Sequence, residues 1–135
     1  MSDNSNSWGG AMLNNPVIWF EIFVQDMPRA RAFYESLFQV TLEQLGENPD
    51  TEMWAFPMAM DRPGIGGTLV KMEGAASGGS GVRVYFSFKD CAVEAASVTQ
   101  YGGHVYREKM SIGEYGFMAL VVDTEGNMIG LHSME

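Results

Sequence analysis

Ile18-Trp19-Phe20-Glu21-Ile22-Phe23-Val24-Gln25-Asp26 runs into Met27-Pro28-Arg29-Ala30-Arg31-Ala32-Phe33-Tyr34. The pattern returns 64 positions later in Val82-Arg83-Val84-Tyr85-Phe86-Ser87-Phe88-Lys89-Asp90, followed by Cys91-Ala92-Val93-Glu94-Ala95-Ala96. Each stretch alternates like a strand, reaches an Asp placed to cap a helix, and continues as that helix. A period of this length is too long for a solenoid unit, so two similar halves closing on each other are expected. The space between such halves is the natural place for a site.

In the first half, Ile18, Phe20, Ile22 and Val24 form one apolar row, expected to lie on the core, while Trp19, Glu21 and Phe23 form a mixed row on the other face. The strand is expected over Val17–Val24. Ala30, Phe33, Tyr34, Leu37 and Phe38 make a helical stripe that should cover the apolar row, with Phe33 facing Phe20 and Ile22; Arg29, Arg31 and Glu35 lie off it. Further strands are expected near Val40–Gln44, Glu52–Phe56 and Thr68–Met72. Gly74 to Gly81 is a small-residue linker. A strand over Val82–Phe88 follows, then a helix ending at Gly102-Gly103. The last strands are expected near His104–Arg107, Gly116–Val122 and Met128–His132. Residues 1–15 read as a flexible tail in which Trp8, Met12 and Leu13 are the bulky apolar side chains. The organisation is thus a tail and one α+β domain of two βαβββ modules, 16–73 and 82–133, joined by linker 74–81.

Composition narrows the function. The 135 residues suit one domain, and 46% apolar residues suffice for a core. A net charge of −9 disfavours nucleic acid and anionic membranes, whose phosphates demand a basic face. It mildly favours neutral or cationic small ligands. A single cysteine, Cys91, permits no intramolecular disulfide and fits a reducing compartment, so the cytoplasm is expected. Its spacing with Ala95 and Val98 places it on a buried stripe as a structural thiol. No apolar run approaches the length of a membrane span. Met53, Met58, Met60, Met72, Met118 and Met128 are read as core filler, the alternative being adaptable walls for an irregular ligand.

Two βαβββ modules, Phe33-Tyr34 in the first helix and the turn Asp123-Thr124-Glu125-Gly126 before the last strand together resemble the vicinal oxygen chelate superfamily. That group holds the glyoxalase I, bleomycin-resistance, fosfomycin-resistance and extradiol dioxygenase proteins. The resemblance covers about Pro16 to Ser133. It implies two curved sheets forming a cleft, each backed by a helix, and commonly a homodimer. It also implies a divalent metal, held at positions that correspond here to Trp19, Arg83, Gly130 and the neighbourhood of Gly66-Gly67-Thr68. An indole, a guanidinium and a glycine donate nothing to a metal, so no metal and no cofactor are expected. Glu21 and His132 share the parity of these positions, yet they are two ligands where a stable site wants three or four.

With parity kept, Trp19, Glu21 and Phe23 should meet Arg83, Tyr85 and Ser87 across the cleft, with His132 nearby as an end-of-strand polar residue. Aromatic walls with few polar groups resemble a pocket lining. The plainer alternative is that Trp19 and Phe23 fill the space of the lost metal while Glu21 pairs with Arg83. Two functions are carried forward. One is metal-independent binding of a largely apolar, neutral or cationic small molecule. The other is a lyase or isomerase using Glu21 as general base, with Arg83 or Tyr85 polarising an oxygen.

Overall fold

A computed structural model describes residues 15, 17–79 and 81–135. The expected tail, with Trp8, Met12 and Leu13, lies outside the described residues apart from Asn15, as does Pro16. Both predicted caps form. The carboxylate of Asp26 accepts the Arg29 N–H at 3.0 Å and opens helix α1, Met27–Phe38, with Pro28 in its first turn. Asp90 accepts the Ala92 N–H at 3.0 Å and opens α2, Cys91–Ser97. That second helix is shorter than its sequence pattern suggested. It tightens into a 3-10 turn, Val98–Tyr101, and Gly102 at φ 97° stops it.

Eight strands make two four-stranded sheets. The first has the order β1-β4-β3-β2, with β1 Phe20–Phe23, β2 Glu43–Asn48, β3 Thr51–Ala55 and β4 Gly67–Met72. The second repeats it as β5-β8-β7-β6, with β5 Tyr85–Ser87, β6 His104–Ser111, β7 Phe117–Val122 and β8 Met128–Ser133. In each, the first strand is parallel to the last and the remaining pairs are antiparallel. This is an α+β fold of two βαβββ units, as the repeat implied.

Several expectations shift. β1 covers only Phe20–Phe23, because its sole partner β4 begins at Gly67, opposite Phe20. Ile18 therefore precedes the sheet and is 82% exposed, not a core residue. β2 starts three residues later than expected and runs to Asn48; the ladder with β3 slips between Leu45 and Asn48, where Gly46 takes φ 69°. The methionines are not uniformly filler either. Met58, Met60 and Met72 are exposed, on a loop and at the end of a strand.

The main surprise is what α1 covers. Its stripe is buried as expected, through Met27, Ala30, Phe33, Tyr34 and Leu37. It lies against both halves, however, rather than on its own sheet alone. The ring of Tyr34 meets Phe56 of the first half at 5.6 Å and Phe86 of the second at 6.2 Å. Phe33 also lies against Gly103 and Val98 of the second half. A Cβ built on Gly103 would stand only 2.7 Å from the Phe33 ring and 2.8 Å from Val98. One buried cluster consequently contains Ile22 and Leu69 of the first sheet together with Ala119, Val121, Ile129 and Leu131 of the second.

Polar contacts lock the same joint. In the turn between β7 and β8, the buried carboxylate of Asp123 accepts the Tyr34 hydroxyl at 2.6 Å and the main-chain N–H groups of Glu125 and Asn127 at 2.8 Å. Glu125 crosses to the start of α1. It accepts the N–H groups of Gln25 and Asp26 at 2.8 and 2.9 Å and pairs with Arg29 at 2.8 Å. Four donors from one helix terminus and its arginine thus converge on a single carboxylate of the other half.

Candidate functional site

The first strands of the two sheets, β1 and β5, meet through their core-facing side chains beside α1. Phe20 of β1 and Phe86 of β5 touch beneath the joint, their ring centroids 5.7 Å apart. Register assigns the residues on the open side. Glu21 stands opposite Thr68, and Phe23 opposite Val70. Tyr85 stands opposite Gly130, Ser87 opposite His132, and Met118 beside His132 on the next strand. This side-chain parity is the one expected from the alternation.

A groove of about 330 Å³ lies along the seam. Glu21 and Phe23 line it from β1, Val82 and Val84 from the approach to β5, Asn127 and Met128 from the last turn and strand, and Gly78, Gly79 and Gly81 from the linker. Glu21 is its single ionisable side chain. Asn127 builds the wall. Its amide nitrogen donates to the Phe23 carbonyl at 3.0 Å and to Asp123 at 3.1 Å, while its amide oxygen accepts the Gly78 N–H at 2.7 Å. The end of β1, the linker and the last turn are thereby held by one side chain, which joins the groove to the clasp on α1.

The clasp carboxylates are displaced in opposite directions. Burial alone would raise the pKa of Glu125. The Arg29 guanidinium and the N–H groups of Asp26 and Gln25 outweigh it and hold the group at about 2. For Asp123, burial raises the pKa and prevails over the hydrogen bonds from Tyr34, Asn127 and the Glu125 main chain. Tyr34 is itself pushed well up by complete burial and by the charge of Asp123, so its phenol stays protonated as the donor.

The seven residues singled out from sequence fall into separate places. Glu21 and Phe23 are together in the groove. Tyr85 and Ser87 stand with His132 on the open face of the second sheet. The ring of Tyr85 lies over Gly130, and the Nε2–H of His132 donates to the Tyr115 carbonyl at 2.6 Å, leaving Nδ1 as the acceptor nitrogen. Trp19, 36% exposed, rests against Gly66 beside Met58. Arg83 is exposed in the segment before β5, and among the described residues it forms no ion pair with Glu21. The flanking Val82 and Val84 line the groove in its place. Sequence reasoning missed those two valines, Asn127 and the glycines of the linker as lining. The signal available was the linker's position at the join of the halves.

The superfamily's metal does not fit these residues. The open side of Gly130 is taken by the Tyr85 ring, which a Cβ there would overlap. Gly66 is covered by Trp19 and by the thioether of Met58. Thr68 is buried and offers a hydroxyl without a hydrogen-bond partner. Among the described residues no three His, Cys, Asp or Glu side chains gather as a set able to hold a metal ion.

No protein-family model matches this chain, and no curated protein does. Solved structures do. The antibiotic binding protein TnmS3 from a Streptomyces species superposes with a TM-score of 0.61 at 21% identity, over 91% of this chain and 98% of that one. A glyoxalase/bleomycin resistance protein from Albidiferax ferrireducens gives a TM-score of 0.62 at 18% identity, over 87% and 98%. Glyoxalase I from Zea mays gives 0.67 at 20% identity over 88% of this chain, which spans 46% of that longer one. The chain has the glyoxalase/bleomycin-resistance fold. Among the described residues no helix is long and apolar enough to cross a membrane.

Proposed function

We propose that this protein binds a small molecule in the seam groove without a metal, and that the ligand is largely apolar and neutral or cationic. The observation that carries the reading is the lining itself: Phe23, Val82, Val84 and Met128 supply apolar walls, and Glu21 is the only ionisable group among them. Apolar walls with one or two placed polar groups are what a small-molecule site requires. The amide of Asn127 is already engaged at both ends, which leaves Glu21 to orient a donor on the ligand. The net charge of −9 favours the approach of a cation. An antibiotic binding protein among the structures of this fold supports binding as the activity. Catalysis by Glu21 as a base needs a second polar group aimed into the same space. Arg83 and Tyr85 do not line the groove, so nothing favours that reading over binding.

The same reading takes modules 16–73 and 82–133 as the two walls, with linker 74–81 closing the groove between them. It also places the protein in the cytoplasm, where the free and buried Cys91 stays reduced. We take the working unit to be a homodimer. The outer strands β2 and β6, largely exposed and at the ends of the sheets away from the groove, leave unpaired edges that a second subunit would cover.

The test is a thermal-shift screen followed by calorimetry on pairs of ammonium ligands and their neutral isosteres. Glu21→Gln should weaken an ammonium ligand by about tenfold, the worth of one charge-assisted hydrogen bond, and leave its neutral isostere unchanged. A screen whose only hits are anions indifferent to Glu21→Gln would refute the reading.

A further inference from the structure

We propose a second binding site on the loop between β3 and β4, selective for a small monoanion with an apolar or aromatic body. The connection spans residues 56–66. It encloses a depression of about 370 Å³, comparable to the seam groove but separate from it in lining. Pro57, Met58, Pro63 and Ile65 form its walls, and Arg62 is its single ionisable residue. The seam groove presents one carboxylate among apolar walls; this depression presents one guanidinium.

Three features make the loop a built surface. The Arg62 N–H donates to the Ala59 carbonyl at 3.4 Å, folding the loop back so that Arg62 and Met58 border one space. The floor is packed. A Cβ on Gly66 would stand 2.8 Å from the Met58 sulfur and 3.3 Å from the Trp19 ring, so both side chains rest on the backbone there. Among the described residues Arg62, like Arg83 and Arg107, enters no salt bridge, whereas Arg29 and Arg31 are each paired with a glutamate. An unpaired guanidinium beside proline, methionine and isoleucine offers a planar two-point contact for a carboxylate and an apolar surface for the body attached to it.

The probe is 1-naphthoate, titrated calorimetrically into the full-length protein, with 1-naphthamide as its neutral isostere. Wild type should bind naphthoate and quench Trp19 fluorescence, read in a Trp8→Phe/Trp54→Phe background. Arg62→Gln should weaken naphthoate by about tenfold and leave naphthamide unchanged; Arg62→Lys, a point charge without the fork, should fall between. Glu21→Gln, which alters the seam groove, should leave naphthoate affinity intact, so this site and the proposed groove succeed or fail independently. Arg62 is exposed, and an unchanged melting temperature of Arg62→Gln would establish that its fold is intact. Absence of binding up to millimolar naphthoate, or a naphthoate affinity unmoved by Arg62→Gln, overturns the proposal.

Discussion

Phe33 and Arg31 sit two positions apart on one helix and illustrate how far side-chain context governs cost. Phe33 is 1% exposed and wedged against Gly103 and Val98. Emptying that space should be expensive, and Phe33→Ala is expected to cost ~3–5 kcal/mol in urea unfolding. Arg31 is off the stripe, yet it is not an idle surface residue. Its guanidinium lies 3.4 Å over the Trp54 ring and its Nη2 bonds Glu35 at 3.1 Å. Arg31→Ala should therefore cost about 1–2 kcal/mol, more than a bare surface change and well below Phe33→Ala. Equal losses at the two positions would mean that the stripe is misphased. At Gly130 the Tyr85 ring occupies the space where the superfamily's ligand would project. Purified, dialysed protein is accordingly expected to hold far less than one transition metal per chain by elemental analysis. About one per chain, lost on Glu21→Ala with His132→Ala, would contradict that.

Among the elements, the turn between β7 and β8 carries the joint, and its pH dependence has a definite sign. Glu125 has a folded pKa of about 2 against an ordinary value of 4.5. Its contribution to stability is then fully present above about 4.5 and is lost as pH falls towards 2. Asp123, with its pKa raised by burial, works the other way, since its contribution is lost as pH rises through its folded pKa. The two partly offset each other below neutrality. Arg29 is half exposed and solvent screens its charge, so the net acid loss owed to Glu125 is expected to be about 2 kcal/mol between pH 6 and pH 2.5. Urea melts across that range should show this slope in wild type and a flatter one in Glu125→Gln. Identical slopes would mean that the Arg29–Glu125 pair contributes nothing. Tyr34→Phe leaves Asp123 with its main-chain and Asn127 donors and should cost about 1–2 kcal/mol, read in the same melts.

For the whole molecule, two four-stranded sheets share one aromatic core, and no strand of one is hydrogen-bonded to a strand of the other. Cohesion between the halves rests on α1, on the phenylalanine cluster and on the clasp. Unfolding should be a single transition, with both halves lost together despite the repeat. Among the described residues the outer edges at β2 and β6 remain unpaired. Sedimentation equilibrium at micromolar concentration should give twice the 14.9 kDa chain mass, and the monomer mass throughout would exclude the dimer proposed above.

Local chemistry made the elements legible from sequence alone. A period of two, a capping Asp and a 3.6-residue stripe act within a few residues of each other, so Asp26, Asp90 and the buried face of α1 lie where their patterns placed them. The repeat with its linker pointed in the same way to the α+β fold of two βαβββ units. The site was only partly legible. Glu21 and Phe23 line the groove together with Ile22 between them, so alternation alone did not select them. Asn127, Val82 and Val84 complete it through contacts that span the chain, as between Asn127 and Phe23. An amphipathic stripe states that a face is buried and never against what. That Phe33 reaches Gly103, and that β1 does not extend back to Ile18, depends on where β4 and the second half lie. Those choices were made by tertiary packing, because burial energy is non-directional and only the assembled shape assigns each apolar face its partner.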